Sequence, residues 1–374
     1  MRDRDRIGDV QLDRHGYLTA TVPATVPVAA AREVPVIAFV AHVDTSPEMS
    51  GAGVKPIVHR GYQGQDLVLP DDPSAVLRLA ESPELAAVFG WDVITASGTT
   101  LLGADDKAGV AAIMGAAEYW MAHPEVPHGS IRVAFTPDEE VGRGTEFFDV
   151  EAFGARYAYT MDGGGLGELE VETFSADSWI ATFQGNNTHP GYAKGKMVNS
   201  IKVMADFLHR LPKDRLSPET TEGYEGYVHP NVIDATVDRS SVRFLLRDFV
   251  TARLAEHRQQ LEDLARQTVA DWPGSSVSFE LRPSYRNMRE VLDQHPQVAA
   301  IAEQAIRNAG LEVRTRPVRG GTDGSRLSFM GLPTPNVFCG AHNIHSRLEW
   351  TSDYELHRAV EVMVEIGRLW TERS

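Results

Sequence analysis

Cysteine is almost missing from this chain. Cys339 stands alone among 374 residues, which excludes an internal disulfide and a thiolate metal cage. Any metal must be held by His, Asp and Glu. Long apolar runs are missing too. None approaches the length of a membrane span, and Met1-Arg2-Asp3-Arg4-Asp5-Arg6 has no apolar signal-peptide core behind it. The expected compartment is the cytoplasm. Positive charge is short: 36 Lys and Arg against 52 Asp and Glu leave a net charge of −16. That argues against a nucleic-acid partner, since a phosphate backbone needs a basic face. It also requires any anionic substrate to be met by locally placed Arg or Lys.

What is present is an ordinary soluble composition, with length enough for two domains and a sizeable core. Val34 to Ala41 is a near-continuous apolar run, which suits a strand covered on both faces of a parallel α/β sheet. It leads into His42-Val43-Asp44, where period two puts His42 and Asp44 on one face. Val10 to Asp13 and Tyr17 to Val22 flank Arg14-His15-Gly16 as a short strand pair. Residues 48–100 read as an inserted loop region with helical turns around 74–89. Lys107 to Met121 reads as a buried helix preceded by Asp105 and Asp106. One Asp there is an ordinary N-cap; two exceed what capping requires. Ile131 to Phe135 is a strand stopped by Pro137, and Asp138-Glu139-Glu140 follow. Such a cluster repels itself unless cations hold it. Taken alone it is more often a solvated acidic loop. The strand Arg156 to Thr160 ends in Met161-Asp162-Gly163-Gly164-Gly165. Acidic or His residues thus gather at the carboxyl ends of strands, where α/β sheets build sites.

From about residue 175 the order is strand, helix, strand, helix, strand. It runs through 179–183, 196–211, 240–249, 252–270 and 277–281, and reads as an inserted α+β (ferredoxin-like) domain over 174–287. Residues 1–173 and 288–374 form a discontinuous catalytic domain, a mixed, largely parallel sheet flanked by helices. There, 296–309 reads as a helix, 320–324 as a glycine-rich turn and 336–338 as a strand, with Thr351 capping a final helix over 352–372.

His42, Asp105, Glu140, Asp162 and His345 are the candidate ligands. Nitrogen with carboxylate donors suits zinc, and also manganese or cobalt. Five ligands are too many for one open catalytic zinc but suffice for two ions if a carboxylate bridges, and Asp105 is placed to do so. Unligated Glu139 can take a proton from water and pass it to a leaving amine. Asp44 can fix the tautomer of His42. A structural calcium site conflicts with the two imidazoles.

Several stretches, in order and from about residue 8 to the end, resemble one family. They are His42-Val43-Asp44, Gly103 to Gly109, Thr136 to Gly142, Tyr159 to Gly164, Asn187-Thr188-His189-Pro190-Gly191, Arg319 to Gly324 and Asn343-Ile344-His345. The family is that of the dinuclear zinc aminopeptidases and carboxypeptidases, which includes carboxypeptidase G and acetylornithine deacetylase. Thr136 to Glu140 together with Glu222 to Gly226 point to its tripeptidase branch. The resemblance implies two Zn2+ ions, one on His42 and Asp162, the other on Glu140 and His345, with Asp105 bridging and Glu139 as general base. It implies a cis peptide after Asp105. It makes the inserted domain a lid, with His189 stabilising the oxyanion and Arg247 and Arg319 holding the carboxylate of a small peptide. It also implies a homodimer through that domain. Members open with a helical segment where this chain has Met1 to Arg6, so an exposed apolar patch is expected on the catalytic sheet near the N-terminus. The competing readings are a same-fold deacylase of N-acyl amino acids or dipeptides, and a catalytically silent binding protein.

Overall fold

The computed structural model describes residues 7–27 and 34–372; Met1 to Arg6 lie outside them. The chain opens with strands β1 (Gly8–Leu12), β2 (Leu18–Val22) and β3 (Ile37–His42). Four short strands follow, β4 (Ile57–His59), β5 (Leu67–Val68), β6 (Val76–Leu77) and β7 (Val93–Thr95). Then come helix α1 (Ala104–Ala122), β8 (Ile131–Thr136), β9 (Tyr157–Gly163) and β10 (Glu168–Glu170). The middle of the chain holds β11 (Ser175–Gln184), α2 (Ser200–His209), β12 (Tyr227–Ala235), β13 (Arg239–Asp248), α3 (Thr251–Ala270) and β14 (Ser276–Tyr285). It ends with α4 (Pro296–Asn308), β15 (Arg314–Thr315), α5 (Asp323–Phe329), β16 (Asn336–Phe338), β17 (Trp350–Ser352) and α6 (Asp353–Thr371).

Two compact units form. The first spans residues within Met1–Val171, Met288–Arg316 and Thr322–Ser374; the second spans Glu172–Asn287 with Pro317–Gly321. In the first, an eight-stranded sheet runs β1-β2-β8-β3-β9-β16-β10-β15. Its centre, β8-β3-β9-β16, is parallel, and β1 and β2 join antiparallel at one edge. Ile37, Phe39 and Ala41 pack on one face with α1, α4 and α6, while Ala38 and Val40 pack on the other with Leu327 of α5. Burial of both strand faces is what the unbroken apolar run requires. It brings the carboxyl ends of β3, β8 and β9 to one rim.

Residues 48–100 keep the expected helical turn, at Pro83–Val88, but are otherwise more than a loop. With β17 and its Trp350 from the end of the chain, they build two small antiparallel sheets, β17-β7-β4 and β5-β6, over a cluster of Tyr62, Leu67, Leu77, Leu85, Val88, Val93 and Trp350. Strands of two or three residues are too short to show a period in sequence. The last helix is capped by Ser352, not Thr351: the Ser352 side chain accepts from the Glu355 amide. Near the N-terminus, Leu12 stands exposed, whereas Ile7, Val10 and Leu18 are half-buried against the core.

The second unit is an antiparallel sheet, β12-β13-β11-β14. Trp179, Ala181, Phe183, Val242, Phe244 and Leu246 line its inner face against Val203 and Phe207 of α2 and Leu254 and Leu261 of α3. β12 is an addition to the expected order. Pro230 hid it in the sequence, and the ladder slips beside that residue on what is an edge strand.

Candidate metal centre

His42 ends β3 with its side chain buried. Its Nε2 lies 2.9 Å from Asp105 Oδ1 and 3.7 Å from Asp162 Oδ1, and its Nδ1 lies 3.3 Å from Asp44. Asp44 therefore sits where it fixes the ring, and it does more. Its two oxygens accept the backbone N–H groups of Glu139 and Glu140, each at 3.1 Å. One carboxylate holds both an imidazole and the turn that presents the two glutamates. Asp138 enters that turn at φ +62°, a left-handed conformation that Asp tolerates better than most residues.

His345 comes from the segment before β17. Its Nε2 is 3.0 Å from Glu140 Oε2 and 3.2 Å from Asp105 Oδ2. Asp105 thus turns one oxygen to each imidazole. The peptide from Asp105 to Asp106 is cis, and neither residue has helical dihedrals, so α1 proper begins at Lys107. Asp106 is the cap: its Oδ1 accepts from Gly109 N at 3.2 Å, and its Oδ2 accepts from His42 N at 3.1 Å. Of the two aspartates, one caps the helix and the other faces the histidines. Gly109 is where α1 meets β9. A Cβ there would overlap the Met161 carbonyl oxygen and the Asp106 carboxylate.

The electrostatics of the rim point to a cation. Burial alone would lower His42, but Asp105, Asp162 and Asp44 outweigh it and hold the imidazole far above its ordinary value. The Asp105 hydrogen bond likewise raises His345 to about 9. Burial, with Asp105 beside it, raises Glu140 to about 7, and burial raises Asp162 to about 6. A basin that draws protons onto its imidazoles also draws a metal cation. Ligand atoms of His42, Asp105 and Glu140, and again of His42, Asp106 and Asp162, lie within 4.8 Å of one another. The donor set fits divalent metal.

Glu139 belongs to neither ligand group. Burial, then Asp162 and Asp323, push its carboxyl well above the usual range. Three further residues join the rim. Asp323, the first residue of α5, accepts from Thr136 Oγ1 at 2.7 Å. Asn336 accepts from the Asp162 amide at 3.1 Å and donates to Glu170 at 2.6 Å. Asp323 lies in the Arg319 to Gly324 stretch, whereas Asn336 and Glu170 belong to none of the stretches that carry the resemblance. Glu170 yields a pH prediction. Burial pushes it up to about 8 from an ordinary 4.5. The folded state therefore keeps a proton that the unfolded chain releases, and this stability is lost as pH rises through about 8. Glu170→Gln, which still offers Asn336 an acceptor, is expected to flatten the loss by roughly 1–3 kcal/mol. Thermal melts of parent and variant across that window check it; parallel curves would refute it.

The other site residues lie in the second unit. His189 Nδ1 accepts from Gly191 N at 3.1 Å, which in the neutral ring places the proton on Nε2. Arg319 donates to the carbonyls of Thr221, Gly223 and Glu225, so it secures that loop. Arg247 donates to Tyr227 and to the Arg319 carbonyl, while its buried Nε has no partner among the described residues. No helix of the described residues is long and apolar enough to cross a membrane.

A family model described as Peptidase family M20/M25/M40 matches residues 98–368. Peptidase T of Listeria monocytogenes serotype 4a is 47% identical over 98% of this chain and 88% of its own length. Peptidase T of Geobacillus kaustophilus is 45% identical over the same shares. Among solved structures, aminopeptidase PepT from Bacillus cereus superposes with a TM-score of 0.75 at 25% identity, covering 97% of this chain and 89% of that one. A tripeptidase from Staphylococcus aureus gives the same TM-score and coverage at 23% identity.

Proposed function

The chain belongs to peptidase family M20/M25/M40, and from that premise we propose that it is a metallo-aminopeptidase releasing the N-terminal residue from tripeptides. The observation that carries the reading is Asp105, whose two oxygens face two imidazoles. Such a carboxylate suits a bridge between two ions. His42 and Asp162 would hold one, and Glu140 and His345 the other. Zinc suits these donors best, with manganese or cobalt as substitutes. The ions supply Lewis acidity toward water and the scissile carbonyl. The chain supplies the rest. Glu139 takes a proton from water and delivers it to the leaving amine. His189, with its proton on Nε2, donates to the developing oxyanion. Arg247 and Arg319 answer the substrate carboxylate, Arg247 through its partnerless Nε and Arg319 by fixing the 221–225 loop beside it. The inserted unit acts as lid and dimer surface. Exposed Val232 and Ile233 on edge strand β12 support pairing there. The cytoplasm is the compartment we propose.

The test is release of the N-terminal residue from an unblocked tripeptide beside its N-acetylated twin, with and without zinc after chelation. Zinc-dependent cleavage of the free peptide alone is the expected result. Cleavage of only the acetylated twin, at its acetyl bond, would make the protein a deacylase. His189→Ala is expected to lower kcat by about 10²-fold with little change in KM, because an oxyanion donor acts in the transition state. A raised KM with unchanged kcat would make His189 a substrate-binding group.

A further inference from the structure

Glu349 is almost fully buried, at 1% exposure, between His345 and β17. No Lys or Arg among the described residues forms an ion pair with it. Three backbone donors meet it instead. Its Oε2 accepts from Leu102 N at 2.7 Å and from Gly103 N at 2.8 Å, and its Oε1 accepts from Asp105 N at 3.0 Å. Gly103, at φ +81°, lets the chain turn so that these N–H groups converge. A carboxylate buried beside other carboxylates is costly, and Asp105 itself adds to that cost. A loop closure alone does not call for one. A carboxylate does what no neutral side chain can: both oxygens accept, with no donor among them.

We propose that Glu349 is a positioning residue for the paired-metal site, fixing the backbone of Asp105 so that its carboxylate presents one oxygen to each imidazole. The inference rests on the dinuclear reading above. His345 and Glu349 lie four positions apart in one segment. One touches the Asp105 side chain at 3.2 Å and the other its amide at 3.0 Å. The segment that supplies a ligand to one ion thereby also sets the carboxylate shared by both. Glu349→Gln keeps the shape but turns an NH2 group toward one or more of the three donors.

The experiment compares parent, Glu349→Gln and Glu349→Ala, stripped of metal and titrated with Zn2+ against a chromophoric chelator. Turnover at saturating zinc and amide exchange at residues 102–105 are read alongside. Both variants are expected to weaken zinc by roughly 10–100-fold, as loss of a ligand-orienting partner does. Turnover should fall with KM nearly unchanged, and exchange should quicken at Leu102, Gly103 and Asp105 alone. A merely structural role would lower the melting temperature and leave zinc affinity and turnover of the folded protein at parental values, which overturns the proposal. If neither variant folds, the parent decides: those three amides must be protected without metal, and free exchange there overturns it. A parent that binds zinc but spares tripeptides refutes only the substrate assignment. A parent that binds no zinc removes the premise itself.

Discussion

Glu139→Gln is expected to retain both metal ions and lose about 10³-fold in kcat, the scale of a general base in hydrolysis. Glu139 and Glu140 are adjacent, and Asp44 holds both of their amides. Yet only Glu140 lies in a ligand group and against His345. The Glu139 carboxyl is left facing Asp162 and Asp323, and burial with their repulsion pushes it well above the usual carboxylate range. That is the direction a base needs to accept a proton near neutrality. Gln matches its shape and cannot take the proton. Metal content per chain and steady-state kinetics measure the two halves of the claim. A variant turning over within tenfold of the parent would give the proton to another group, and loss of metal would make Glu139 a ligand.

The second large effect is expected at Asp105. Asp105→Asn replaces one oxygen with an NH2 group, which cannot ligate, so one of the two oxygens that face the imidazoles would no longer serve an ion. At least one ion per chain should be lost, and turnover should fall at least as far as in Glu139→Gln. Circular dichroism should stay parental, because the helix cap belongs to Asp106. Retention of two tightly bound ions would remove Asp105 from the bridging position, and with it the shared-carboxylate reading.

These two residues were legible because their neighbours in sequence announce them. Asp105 and Asp106 stand before a buried helix that one Asp would cap, and Thr136-Pro137 stops a strand just before three carboxylates. The parallel centre of the sheet was legible in its own way: Val34 to Ala41 is apolar without alternation. What stayed hidden acts across long separations through the backbone. Asp44 reaches the amides of Glu139 and Glu140, Asn336 that of Asp162, and Glu349 that of Asp105. An amide has no residue type, so no pattern of letters marks its partner. Fold details were lost to short or interrupted elements. Pro230 masked β12, and the glycines around Thr322 concealed that this residue caps α5, a helix read only as a turn.

Gly109 binds no substrate or metal in this scheme, yet it governs how far apart two of the ligands stand. Because α1 and β9 touch there through backbone, the interval between Asp105 at the helix start and Asp162 at the strand end is a clearance between main chains. Side-chain rotamers can adjust a ligand's angle but not that interval. In a mutational scan, position 109 should therefore behave like a ligand position, intolerant even of alanine, although it bears no functional group. The damage should register as a change in which size of ion the protein prefers.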